Sequence, residues 1–294
     1  MPELPEVETV RAGLNRLLPG KLVAAIKSNW PKSFAAQPGA VERYLIGAEI
    51  IEVKRRAKVL IISLDSNYSL VIHLKMTGQL VFRGQHERFG AGHPSSSLVG
   101  KLPDRSTRVC FIFSDGSKLF FNDQRKFGWI RLVPTREVPS LDFMKKFGPE
   151  PLEVSFTWQR LREQLLRRPN TSIKATLLDQ TVLAGVGNIY ADESLWSAKI
   201  HPSTTVKNLS AARIKKLYEA LVTVLSLAIG MGGATDRNYV DAEGRPGNYL
   251  EFANVFRREG QSCPRCDSVI QKIRVASRGT HICPHCQKLK LFNN

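Results

Sequence analysis

Leu4, Val7, Val10, Leu14 and Leu17 recur at steps of three and four residues, which predicts a first helix over Leu4 to Leu17, closed by Pro19-Gly20. From about Leu22 to Val133 the texture changes to short β-rich runs, among them Lys58 to Leu64, Tyr68 to Leu74, Arg108 to Phe113 and Lys118 to Phe121. Turn signals such as Asp115-Gly116 divide them, a pattern that suggests a sandwich or barrel. Arg83 to Arg105, rich in Gly, Ser, Pro and His, reads as a long surface loop, and Pro134 to Pro151 as an interdomain connection. Beyond it helical spacing returns over Thr157 to Arg167, Ile173 to Gln180, Ile189 to Ala198 and Ser210 to Ile229, with Ser210 as an N-cap. Gly230 to Asn254 is a second glycine-rich stretch of low regularity. The pattern predicts an α+β protein in which a helix and a β-rich domain precede a helical domain.

At 294 residues the chain has room for about two domains. Hydrophobic residues at 43% and charged residues at 23% exclude a disordered tail protein and a disulfide-dense scaffold. No apolar stretch is long enough to span a bilayer, and the acidic Met-Pro-Glu-Leu-Pro-Glu start lacks the basic opening of a signal peptide. A cytoplasmic protein is therefore expected. The net charge of +17 points to a polyanionic partner, and without a dominant basic amphipathic helix this favours nucleic acid over a membrane surface.

Four of the five cysteines form two CxxC knuckles, Cys263-Pro264-Arg265-Cys266 and Cys283-Pro284-His285-Cys286, separated by 16 residues. That is the spacing of a tetrahedral four-thiolate zinc site, structural because four protein ligands leave no open position. Disulfides are the competing reading, disfavoured in a reducing compartment. Cys110 stands alone in an alternating run and reads as a small buried hydrophobe.

Pro2 carries a different kind of chemistry. Removal of the initiator methionine would leave a secondary α-amine, a nucleophile able to form an iminium with an aldehyde-level carbon. Glu3 and Glu6, three residues apart, would face one site in the first helical turn. The plainer reading is a proline and two acids favouring a helix start.

The motifs decide between them. Met1-Pro2-Glu3-Leu4-Pro5-Glu6-Val7-Glu8-Thr9-Val10 resembles the opening of formamidopyrimidine-DNA glycosylases, bacterial enzymes that remove oxidised purines from DNA. Arg55-Arg56-Ala57-Lys58, His73-Leu74-Lys75-Met76-Thr77-Gly78, Asp123-Gln124-Arg125-Lys126-Phe127-Gly128, Gly148-Pro149-Glu150-Pro151-Leu152, the run Leu183 to Glu193 and Arg278-Gly279-Thr280 resemble further blocks of that family, in family order. The resemblance therefore spans essentially the whole chain. It implies an N-terminal helix with a β-sandwich over 1–134, a linker over 135–152, a helical domain with a helix–two-turn–helix motif over 153–254, and a four-cysteine β-hairpin zinc finger over 255–288.

It also implies roles. Pro2 would attack C1′ of the damaged nucleotide, Glu3 would act as the acid, and Glu6 would assist at the sugar. Lys58 would move a proton in β-elimination, and Arg278 would bind phosphate and support δ-elimination. A base inside a duplex must be flipped out before it can react, and Met76, Arg125 and Phe127 match the wedge that fills the gap. On pattern alone Met76 and Phe127 would be core residues. Asn188, after Gly185-Val186-Gly187 and at the start of a helix, would hold a phosphate, with Lys174 and, more weakly, Arg168 beside Arg167 as further contacts. Gly-x-Gly here follows no strand, which rejects a dinucleotide-binding reading.

Two departures from the family pattern stand out, the first being Arg125-Lys126 after Asp123-Gln124 where members often carry Arg-Arg after Asp-Pro. Ser106 falls where many members carry a DNA-contacting histidine, leaving Arg108 as its replacement. The loop that would close over the flipped base, Gly232 to Tyr239, varies within the family. Expected partners are damaged double-stranded DNA and no membrane, with the protein a monomer. The endonuclease VIII branch, which acts on oxidised pyrimidines, is the sibling reading, and Leu4 in place of its usual glycine argues against it. A non-catalytic zinc-finger protein for distorted DNA would explain charge and zinc but not the joint presence of Pro2, Glu3 and Lys58.

Overall fold

A computed structural model describes residues 1–93, 95–234 and 249–289. They fall into two compact units: Met1–Lys145, joined by Met231 to Ala234, and the remaining described residues from Lys146 onward.

In the first unit, helix α1 (Leu4–Leu17) buries Leu4, Val7, Val10 and Leu14. Ten strands follow: β1 (Val23–Ser28), β2 (Phe34–Ala35), β3 (Ile50–Arg56), β4 (Val59–Leu64), β5 (Tyr68–His73), β6 (Gly78–Arg83), β7 (Arg88–Gly92), β8 (Thr107–Phe113), β9 (Lys118–Asp123) and β10 (Trp129–Pro134). Short helices α2 (Ala40–Tyr44) and α3 (Asp142–Lys145) interrupt and follow them. Two five-stranded sheets result, in the orders β1-β8-β9-β6-β7 and β2-β10-β5-β4-β3. One core holds α1 residues with Leu60, Ile62, Leu70 and Ile72 of one sheet and Leu80, Phe82, Phe111, Phe113 and Phe121 of the other. This is a sandwich, because alternating apolar positions on each strand give each sheet one face to bury.

Within the expected loop Arg83 to Arg105 the structure places an edge strand, β7, paired with β6 from Gln79↔Gly92 to Arg83↔Arg88. Arg-Phe-Gly-Ala-Gly carries too little apolar alternation to read as a strand, since glycine offers no side chain to either face. Gly90 gives the Leu98 segment room to approach: a Cβ would lie a tight 3.0 Å from the Leu98 carbonyl oxygen.

The second unit contains α4 (Trp158–Leu166), α5 (Ile173–Leu178), α6 (Asn188–Ser197), α7 (Ala211–Gly230) and the hairpin of β11 (Gln271–Val275) with β12 (Arg278–Ile282). Thr157 caps α4 and Ser172 caps α5, each accepting a hydrogen bond from the backbone three residues on. Among the described residues no helix is long and apolar enough to cross a membrane.

Candidate active site and nucleic-acid interface

In the first unit, Pro2 and Glu3 are buried at the head of α1. Glu3 is its N-cap, and the Glu3 N–H donates to Glu6 Oε2 at 2.7 Å within a reciprocal capping box. Glu6 Oε1 also accepts the Ala234 N–H at 2.6 Å. Gly233 makes this approach possible: its φ is +85°, and a Cβ would lie 2.8 Å from Glu6 Oε1. The start of the glycine-rich loop thus rests on Glu6, while 235–248, with most of the expected capping segment, lie outside the described residues.

Lys58 is buried at the two-residue turn joining β3 to β4, where Arg56 pairs with Val59. The preceding Ala57 has φ +53°, a left-handed conformation that costs a non-glycine residue about 1–2 kcal/mol. Arg55 holds the turn in place. Its Nε pairs with Glu8 of α1 at 2.9 Å and its Nη1 donates to the Ala57 carbonyl at 2.9 Å. His73 is also affected: burial first, then the charges of Lys75 and Lys58, push its imidazole down to about 3. Its Nδ1 accepts the Lys75 N–H at 3.0 Å, which requires that nitrogen to be unprotonated.

The wedge candidates occupy two turns at one end of the sandwich. Met76 is 39% exposed and Phe127 53%, so neither belongs to the core that hydrophobicity alone would assign. Arg125 lies over the Phe127 ring at 4.8 Å. Both turns include a left-handed residue, Lys75 (φ +52°) and Lys126 (φ +58°). Asp123 joins them. Fully buried, it accepts the Thr77 hydroxyl, the Arg125 N–H at 3.2 Å and the Gly128 N–H at 2.6 Å. The motif containing Asp123 was legible, but its role as organiser was not. The signal available was an aspartate opening a turn, where its carboxylate can take backbone N–H groups two residues on.

Ser106, in the place of the expected histidine, belongs to a knot around Asp104. It donates to Asp104 Oδ1 from both its N–H and its hydroxyl, at 2.7 and 2.6 Å. Burial works to raise Asp104, but hydrogen bonds from Ser106, Ser97 and Thr107 outweigh it and hold the carboxyl below its usual range. Arg108 is buried, with its Nε donating to the Asp123 carbonyl at 2.8 Å, and it lines a cavity of about 280 Å³ with Lys27 and Asn29.

In the second unit, Gln180 shapes the turn before α6 by donating to the Val186 carbonyl and accepting the Gly185 N–H. Asn188 Nδ2 donates to the Gly279 carbonyl at 3.0 Å, and its Oδ1 is buried without a partner. Arg168 reaches Asp179 at 3.4 Å and is half exposed. Lys174 departs from expectation. Its side chain has no exposure and its ammonium is held by Asp192 at 2.6 Å, Thr280 Oγ1 at 2.7 Å and the Gly279 carbonyl at 3.2 Å. A buried ammonium needs its full set of acceptors, so this lysine is committed to the hairpin rather than to a phosphate. Asp192 also accepts the His281 N–H at 2.9 Å. Its neighbour Glu193 accepts four donors from Asn254, Val255 and Phe256. Sequence reasoning missed both carboxylates as structural anchors, because nothing local distinguishes them from exposed acids on a helix. Arg278 follows a hairpin turn formed by Ala276 (φ +49°) and Ser277 (φ +61°), and is exposed.

The Sγ atoms of Cys263, Cys266, Cys283 and Cys286 lie within 4.8 Å of one another. The Cys266–Cys283 separation of 3.4 Å excludes a disulfide, whose bond is about 2.05 Å, and approaches the spacing of thiolates about a tetrahedral zinc. Burial first, opposed by a backbone N–H and aided by neighbouring thiols, pushes Cys283 up to about 12. Cys263 and Cys266 are shifted the other way by hydrogen bonds, so the four thiols do not ionise alike unaided; a divalent cation lets all four ionise together, and the donor set fits zinc in a structural role.

Family models match in chain order: the formamidopyrimidine-DNA glycosylase N-terminal domain over residues 1–130, the formamidopyrimidine-DNA glycosylase H2TH domain over 147–239 and the zinc finger found in FPG and IleRS over 260–289. The chain belongs to the formamidopyrimidine-DNA glycosylase family. A relative of that name from Pelotomaculum thermopropionicum is 41% identical, covering 99% of this chain and all of its own. One from Herpetosiphon aurantiacus is 44% identical, covering 98% of this chain and all of its own. Among solved structures, Lactococcus lactis Fpg in complex with DNA containing an abasic site aligns with a TM-score of 0.85 at 34% identity, over 98% of this chain and all of that one. A MutM complex with DNA containing carbocyclic 8-oxo-G aligns at 0.84 and 34% identity, with the same coverage.

Proposed function

We propose that this protein is a bifunctional DNA glycosylase and abasic-site lyase that removes oxidised purines, 8-oxoguanine and formamidopyrimidines, from duplex DNA as a monomer. The carrying observation is the head of α1, where Pro2 precedes a buried Glu3 capped against Glu6 in a chain of this family. Family relatives solved with Fapy-dG, abasic-site and 8-oxo-G DNA support the substrate class.

With Met1 removed, the Pro2 amine attacks C1′ and the C1′–N bond breaks, its electron pair leaving with the base. Glu3 supplies the proton needed at the sugar ring oxygen or the departing base, and Glu6 orients the sugar. The Pro2 nitrogen then loses its proton and its lone pair expels O4′: the C1′–O4′ bond breaks, O4′ leaves as a protonated hydroxyl, and the iminium so formed acidifies C2′. Lys58 takes that proton and the C3′–O bond breaks; δ-elimination then breaks the C5′–O bond, with Arg278 holding phosphate. Hydrolysis returns free proline. Arg278 acts as a fixed charge, since a guanidinium stays protonated. Met76, Arg125 and Phe127 fill the space left by the flipped base. Asn188 and Arg168 bind backbone phosphate, Arg108 supplies the contact for which other members use histidine, and Lys174 positions the segment carrying Arg278. The four cysteines hold one zinc ion. The +17 charge suits a cytoplasmic protein associated with the nucleoid.

The test is borohydride trapping on a duplex with one 8-oxoguanine opposite cytosine, followed by peptide mapping. A crosslink at the N-terminal proline establishes both mechanism and substrate. A crosslink only on an abasic-site duplex keeps the lyase and overturns the lesion assignment. No crosslink on either duplex, from protein shown by mass to lack Met1, overturns the enzyme and leaves a damaged-DNA-binding protein.

A further inference from the structure

The segment from Arg83 to Arg105 has no part in the chemistry above, yet it builds a second cavity. Leu98 and Leu102 pack on Val81, Cys110 and Phe120, sealing the outer face of the β1-β8-β9-β6-β7 sheet. Beside this seal lies a cavity of about 440 Å³ lined by Arg83, Arg88, Lys101 and Lys118, with Val99, Leu102 and Phe120 among its apolar walls. Among the described residues, no carboxylate lines it.

The placement of the cations is unfavourable by itself. Arg83 of β6 stands directly opposite Arg88 of β7 on one side and Lys118 of β9 on the other. Directly paired residues share a face, so three like charges form one row across three strands, an arrangement that destabilises a sheet. Arg83 is also half-buried, its guanidinium fixed by the carbonyls of Phe82 and Leu98 at 3.1 and 2.7 Å. Burial, then the charge of Arg88, holds it below the ordinary arginine range. Lys101 adds a fourth charge from the segment that walls the cavity. An anion seated between the four offsets this repulsion.

We propose that the cavity is a binding site for a phosphate ester of nucleotide size, the cations taking the phosphate and the Val99, Leu102 and Phe120 wall taking the apolar part. Its volume falls within the usual range of ligand pockets, about 300–1,000 Å³. The site is distinct from the wedge. Arg83 and Lys118 end the same strands whose other ends, Gly78 and Asp123, adjoin the wedge turns, five residues or about 17 Å away along the sheet. The phosphate has two sources, a free nucleotide or the backbone of duplex flanking the lesion.

The test compares the zinc-loaded full chain with the double variant Arg88→Gln, Lys118→Gln, both side chains being exposed at strand ends. Calorimetric titration with ADP, without divalent cation, reads the free-nucleotide source. Affinity for two lesion duplexes, one confined to the lesion and one extending several helical turns beyond it, reads the backbone source. For a nucleotide, wild type binds one ADP and the variant weakens it by about tenfold or more. For the backbone, the variant loses affinity for the long duplex alone, and its salt slope there falls by about 0.9 for each lost phosphate contact. Nicking of the short duplex is unchanged in either case. Equal ADP titrations and equal long-duplex affinities for the two proteins overturn the site.

Discussion

Two hairpin turns carry the two basic residues assigned to elimination, and they are anchored by opposite means. The turn before Lys58 and the turn before Arg278 both place non-glycine residues in the left-handed region, Ala57 in one and Ala276 and Ser277 in the other. The first belongs to strands whose side chains enter a large sandwich core and is tied to α1 through the partly buried Arg55–Glu8 ion pair. The second belongs to a finger whose buried apolar cluster is small, Val255, Cys263, Ile270 and Cys283 with Trp196 of α6. It is fixed by a metal site, by the fully buried Lys174–Asp192 pair and by Asn188 on the Gly279 carbonyl. A large core can hold a strained turn by packing. A small one needs metal coordination and buried charge, which are strong but fail when a single partner is lost.

That contrast breaks most severely at the metal. Cys283→Ser removes one thiolate and is expected to release zinc and abolish nicking while Pro2 remains in place; zinc content and nicking are measured together, since structural zinc contributes on the order of 10 kcal/mol to such fingers. Normal nicking by that variant would show that the finger does not position Arg278.

Asp192→Asn tests the buried pair. It strands the Lys174 ammonium and leaves the His281 N–H with a weaker acceptor, for an expected loss of about 3–5 kcal/mol in urea unfolding. A loss under about 1 kcal/mol, the range of a solvent-exposed pair, would remove the distinction between the two anchors.

In the first unit, acid provides a milder probe. His73 is depressed to about 3 from the ordinary 6.5, so between those values the unfolded chain binds a proton that the folded chain does not. Stability from this group is present above pH 6.5 and is lost as pH falls toward 3. His73→Gln, which keeps an acceptor for the Lys75 N–H, is expected to flatten the stability–pH profile over that window. An unchanged slope would place the titration elsewhere.

The smallest change concerns the turn itself. Ala57→Gly relieves the left-handed strain but frees the unfolded chain, so net stability should shift by less than about 1 kcal/mol. Elimination on an abasic-site duplex should slow, because Lys58 loses a fixed approach. Equal elimination rates would mean that packing around Lys58, not the turn, sets its position.

Legibility followed the range of the interactions. The α1 period, the strands with alternating apolar residues, the helices of the second unit and both CxxC knuckles are local patterns, and the residues proposed to react are those to which the family blocks point by position. Strand β7 was not legible, because its glycines matter only once distant backbone lies against them, the Leu98 segment at Gly90 and the start of β6 at Gly92. Met76 and Phe127 are apolar residues whose exposure no periodicity predicts; two turns joined by Asp123 create it. Lys174 reads as a surface cation until Asp192, 18 residues on, and Thr280, 106 residues on, are brought to its ammonium.

The sequence by itself determined the elements whose apolar residues recur at a regular period, the two CxxC knuckles and the basic charge, because each depends on neighbours within a few positions or on composition. Only the tertiary structure decided which charges are buried and which stay exposed. That separates Lys174 from Arg278, places Asp123 beneath the wedge turns and lines up Arg88, Arg83 and Lys118 across three strands. The free energy of a charge depends on the atoms that surround it, and distant parts of the chain supply those atoms.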